Sequence, residues 1–177
     1  MKNKIRFYLL FSALIFISCG EGINYPDASP NSIYFNSFEN DNDTTGWKDL
    51  NPRMFVDDPC PDGGKKSLSI GGGCFQPVSY FVSKPISESG NYKIQFWAKA
   101  AKSEMSGTVM LGIGDPHFPM NGSKYVQVND SSWKFYNSDV LFCHSGSKLR
   151  IELIVGGIIP SAIFLDNIEI LLINADN

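Results

Sequence analysis

The stretch AIFLDNIEI, residues 162–170, sets Asp166 and Asn167 in the middle of an apolar run. A carboxylate taken out of water costs several kcal/mol unless hydrogen bonds, an opposite charge or a metal compensates it. Asp166 therefore calls for a partner, and a bound cation is one answer. Backbone N–H groups at a strand end are another. A second group of residues offers different chemistry. NYKIQFWAKA (91–100) carries Gln95 and Trp97, LRIELIV (149–155) carries Arg150 and Glu152, and WKFYN (133–137) carries Tyr136. A flat indole or phenol with planar polar groups beside it suits the apolar face and the hydroxyls of a pyranose ring.

Catalytic patterns are scarce by comparison. The two histidines, His117 in GDPHFPMNG and His144 beside Cys143, belong to no nucleophile elbow and no HExxH helix. The glycines of IGGGC and GIGDPH lack the Lys-Ser/Thr pair and the strand-to-helix setting that phosphate binding needs. Asp57, Asp58 and Glu152 could be imagined as a glycosidase pair, but acids on a solvated β surface are the ordinary case. DNDTTG (41–46) resembles the start of an EF-hand loop, yet Pro52 stands where the bidentate Glu is required. We expect no catalysis.

The elements that must position these side chains are short segments rich in β-branched and aromatic residues, separated by Gly, Asn, Asp and Ser. They fall at 32–39, 53–57, 67–71, 76–86, 91–101, 107–114, 124–128, 133–142, 148–156 and 162–173. None has a helical apolar period, so the fold class is all-β, a two-sheet antiparallel sandwich. Alternation in 91–100 turns Tyr92, Ile94, Phe96 and Ala98 to the core and Gln95 and Trp97 outward. In 149–155 it turns Leu149, Ile151, Leu153 and Val155 inward, leaving Arg150 and Glu152 outside. Were the two strands in one sheet, its outer face would carry Trp97, Gln95, Arg150 and Glu152 together. A loop folded over Trp97 is the competing reading. Trp47 and Trp133 are expected at the core or its edge.

The 177 residues suit one domain behind a leader. The formal charge of −3 includes Lys2, Lys4 and Arg6 of the leader, so the remainder is more acidic still and repels phosphate backbones. No nucleic-acid partner is expected. Residues 1–18 run from basic MKNKIR through apolar FYLLFSALIFI to Ser18, a signal peptide rather than a membrane span. FISC resembles the bacterial lipobox, with Phe16 in place of the usual Leu, and implies acylation of Cys19 and a membrane anchor. Gly20 rather than Asp after that cysteine favours the outer membrane by the same resemblance. Residues 19–31, rich in Pro and Gly, read as a tether, and 32–175 as the folded domain. In an oxidising compartment Cys60 and Cys74 could close a loop worth about 3 kcal/mol, leaving Cys143 as a buried free thiol.

The order NSFEN, Gly46-Trp47, GGKKSLSI, GNYKIQFWAKA, DSSWKFYNSDV, IFLDNIEI resembles the jelly-roll carbohydrate-binding modules of the xylan- and cellulose-binding type, within the galactose-binding-like superfamily. The resemblance spans residues 32–173. It implies a structural calcium held by Glu39 and Asp166, with backbone carbonyls near Lys65 or Lys66, and a hard cation suits such oxygen ligands. Together with the leader and the outward residues it points to a non-catalytic, glycan-binding lipoprotein of the bacterial cell envelope, with Trp97, Gln95, Arg150 and Glu152, joined by Tyr136, as the sugar contacts expected from the alternation. The alternative is an adhesin or scaffold lipoprotein that binds a protein partner through the same fold. A hydrolase on this fold is a third.

Overall fold

The computed structural model describes residues 26–50, 52–72, 77–114, 122–156 and 160–173. The expected signal peptide, the lipidation site Cys19, Cys74 and His117 lie outside them. Among the described residues no helix is long and apolar enough to cross a membrane.

The strands in chain order are β1 (Ser32–Asn36), β2 (Trp47–Lys48), β3 (Phe55–Val56), β4 (Ser67–Gly72), β5 (Pro77–Pro85), β6 (Gly90–Ala100), β7 (Gly107–Ile113), β8 (Lys124–Val128), β9 (Lys134–Asn137), β10 (Leu141–Cys143), β11 (Lys148–Val155) and β12 (Ser161–Ile173). One sheet has the order β10-β6-β12-β4-β3, with β1 also paired to β12 and β9 to β6; the other runs β2-β5-β11-β7-β8. Both are antiparallel, as the segmentation predicts. The segment expected at 133–142 divides into β9 and β10 because Ser138 takes over the edge pairing. Its N–H donates to the Ile94 carbonyl at 2.9 Å, and its Oγ accepts from the Ile94 N–H at 3.1 Å.

The core lies between the sheets. From the first come Tyr92, Ile94, Phe96 and Ala98 of β6 and Leu68 and Ile70 of β4; from the second come Leu149, Ile151, Leu153 and Val155 of β11 with Val109 and Leu111 of β7. Strand β12 contributes Ile163 and Leu165, then Ile168 and Ile170. That change of parity needs an extra residue, and a β-bulge supplies it. Trp97 pairs with Asp166 and Gln95 with Glu169, so Asn167 and Ile168 together face Phe96. Asn167 takes φ +47°, a left-handed conformation that Asn tolerates better than most residues. Without the bulge, Ile168 and Ile170 would be turned out of the core.

Candidate functional site

The bulge answers the question raised by Asp166. Its side chain is fully buried, and it is stabilised by N–H donors on two sides. Oδ2 accepts from Cys60 N at 3.0 Å, and Oδ1 from Asn167 N at 2.8 Å. The loop from Asp57 to Lys66 lies directly on this carboxylate. A Cβ on Gly63 would stand 2.5 Å from Oδ2, so only glycine permits the approach. Burial, helped by the charge of Glu39, raises the Asp166 pKa to about 6 despite these donors. Glu39 is itself buried and accepts from Lys65 N at 2.9 Å and Lys66 N at 3.1 Å. An acid buried under a turn draws the turn's donors, which is why the backbone N–H groups of Lys65 and Lys66 point at Glu39.

The donor set still fits a hard cation. Two buried carboxylates lie near one another, and Asn167 Oδ1 is a buried oxygen with no hydrogen-bond donor among the described residues. Cys60 belongs to the same corner. Cys60 is a free, buried thiol that accepts from Asn167 Nδ2 at 3.5 Å; Cys74, its expected disulfide partner, lies outside the described residues. Burial, and next the Asp166 charge, push its pKa far up, which makes it a poor nucleophile. Cys143 is also a buried free thiol, its pKa raised to about 11 by burial.

The outer face of the seven-stranded sheet carries the aromatic groups. Trp97 is half-buried there and meets Phe135 of β9 with centroids 5.6 Å apart. The register explains the pairing, since Trp97 faces Phe135 while Phe96 faces Tyr136. Tyr136 is therefore misassigned by the sequence reading. Its ring stacks on core residue Phe96 at 5.6 Å, and Phe135, which was overlooked, takes the outward position with 48% exposure. Burial, with the nearby Asp130 charge, raises the Tyr136 pKa. Trp133 is also placed differently from expectation. It lies on the outer face against Phe164, with Lys99 Nζ 5.0 Å above its ring and an indole N–H that has no acceptor among the described residues. Gln95 Nε2 donates to Glu169 Oε2 at 2.8 Å. Glu169 also accepts from Ser29 N at 2.6 Å and Ser29 Oγ at 2.8 Å, so the entry into the domain is fastened to β12.

Arg150 and Glu152 require the largest correction. Strand β11 lies in the five-stranded sheet and β6 in the other, so the two residues share no face with Trp97. Nor are they exposed. Arg150 is 0% and Glu152 1% accessible, and they pair at 2.7 Å between Nε and Oε1. Met110, opposite Glu152 on β7, is buried with them. Alternation gives the face of a strand but not whether that face is wet. Burial raises the Glu152 pKa and the Arg150 charge opposes the rise. These are features of an internal ion pair, not of a sugar contact.

This two-sheet fold has counterparts among solved structures. The CBM22-1 xylan-binding domain of Paenibacillus barcinonensis Xyn10C superposes with a TM-score of 0.57 at 17% identity, over 85% of this chain and 99% of that one. The fold is that of the carbohydrate-binding jelly rolls. The CBM22-1 and GH10 modules of a Clostridium thermocellum xylanase, solved with xylohexaose, match with a TM-score of 0.56 at 11% identity, over 82% of this chain and 29% of that one. The enzymatically active domain of a tailspike protein from bacteriophage CBA120 matches at 0.54 and 16% identity, over 85% of this chain and 22% of that one. No protein-family model matches the sequence, and no curated protein matches it. At these identities the likeness concerns the fold.

Proposed function

We propose that the chain is a non-catalytic glycan-binding lipoprotein of the bacterial cell envelope, anchored through acylated Cys19 at the outer membrane, with polysaccharide held on the outer face of the seven-stranded sheet. The observation that carries this reading is the Trp97–Phe135 pair, two outward rings 5.6 Å apart beside the amide of Gln95. Aromatic surface left partly wet offers a sugar ring an apolar platform, and the Gln95–Glu169 hydrogen bond fixes a polar group next to it without further ordering. The jelly-roll fold supports the same reading. Arg150, Glu152 and Tyr136 are left out of the contact surface.

Glu39 and Asp166, with Asn167 Oδ1 nearby, are the residues that would hold a structural calcium. The ion would neutralise two buried carboxylates and fix the loop from Asp57 to Lys66 against β12. Binding to immobilised polysaccharides tests the function. The protein should be retained, and Trp97→Ala should lower retention at least tenfold while leaving the thermal midpoint nearly unchanged. Retention that is indifferent to Trp97→Ala would remove the platform. Failure to bind any polysaccharide, with one protein co-purifying from membranes, would favour the adhesin reading.

A further inference from the structure

The exposed aromatic surface does not end at Trp97. Phe142 of β10 is 54% exposed and faces the same side, opposite Asn91 of β6. Phe135 pairs with Trp97 of the same strand. Six residues of extended strand separate Asn91 from Trp97, so the two aromatic ends stand about 20 Å apart. Between them the face presents Gln95, Asn137 and Lys93, a polar middle with rings at either end. That is the form of a site for an extended chain of linked sugars, not for a single ring.

The charge along this strip is specific. Lys99 is paired with Asp58 at 2.8 Å, and Lys134 with Asp130 at 2.8 Å. Lys93 has no acidic partner among the described residues; its ammonium donates to the neutral Asn137 Oδ1 at 3.3 Å. The carboxylate in the neighbouring row, Glu169, is buried and already accepts from Ser29 and Gln95. An ammonium held at mid-strip by an amide, and not by an acid, is positioned to take an anion from outside.

We propose that the strip from Phe142 to Trp97 binds a linear acidic polysaccharide, with a uronate carboxylate of the chain at Lys93. This rests on the glycan-binding reading above and names its ligand class. The protein's overall negative charge makes the attraction local, so the ring contacts must supply much of the affinity and Lys93 the selectivity.

Isothermal titration of the protein with oligogalacturonates and with neutral β-1,4-glucan oligosaccharides of matched lengths tests the proposal. At low salt the acidic chains should bind about tenfold more tightly than the neutral ones, and added salt should remove the difference. Lys93→Gln should lower the affinity for acidic chains about tenfold, to that of the neutral ones, and so abolish the preference. Phe142→Ala should weaken hexasaccharides several-fold and disaccharides little. Binding of both classes with equal affinity, still dependent on Trp97, would overturn the acidic-ligand inference and keep the glycan-binding reading. Binding of neither class would overturn both. A preference for acidic chains that persists in Lys93→Gln would show that Lys93 is not the anion site.

Discussion

Asp166 gives the sharpest stability prediction, because its ionisation is opposed by burial. In the metal-free protein its pKa is about 6, against the ordinary 3.8 of an aspartate. The folded state then keeps its proton over a range in which the unfolded chain has lost it. Stability contributed by the protonated form is complete below the unfolded pKa and is lost as pH rises through the folded one. A shift of about two units corresponds to ~3 kcal/mol, lost between about pH 4 and pH 7. Glu39 and Cys60 face the group, and Glu39 acts in the same direction as burial. Urea unfolding of wild type and Asp166→Asn, in excess chelator from about pH 4 to pH 8, measures this. The variant loses an acceptor for either the Cys60 or the Asn167 N–H and is offset at every pH, so the informative quantity is the difference in slope. Wild type should decline relative to the variant as pH rises, and calcium should restore wild type alone. A difference that is flat in pH, or that grows in favour of wild type as pH rises, would refute the buried-charge argument. Equal wild-type midpoints with and without chelator near neutral pH would refute the calcium site.

Glu152→Ala would leave the Arg150 guanidinium without its 2.7 Å carboxylate partner inside the protein, and should cost about 3–5 kcal/mol in urea unfolding. Gly107→Ala would place a Cβ 2.8 Å from Ile163 Cγ2 and 3.3 Å from Val155 Cγ2, where the two sheets meet. Such overpacking should lower stability by about 1–3 kcal/mol by the same assay, without affecting retention on polysaccharide.

The strand pattern was legible because each buried strand is an apolar run or alternation bounded by turn residues, and β6 through β8 and β11 begin and end within about two residues of expectation. Strand β2 was missed because two residues, Trp47 and Lys48, carry no periodicity. The bulge left a trace: in IFLDNIEI the spacing between core positions is two residues, then three, then two, and only an inserted residue reconciles them. Sheet membership left no such trace. Residues 95 and 97 and residues 150 and 152 have the same alternation, yet β6 and β11 lie in opposite sheets, and only long-range pairing decides that. In WKFYN, Phe135 and Tyr136 are adjacent aromatics, so either could have pointed outward. The register of β9 against β6 selects Phe135. The likeness to known modules carried the two-sheet fold correctly but not which residues share a face, since a fold is shared far more widely than a site.

The fastening of Ser29 to Glu169 has a mechanical consequence. Tension arriving along the chain from the N-terminal side meets two charge-assisted hydrogen bonds from Ser29 to Glu169, a carboxylate that Gln95 also holds, before it can peel β1 from its neighbour. The load passes into β12, which β6 flanks along one side and β1 and β4 along the other. Strain in the lead is thus taken up at Glu169, at the border of the aromatic strip, before it reaches the pairing of β1.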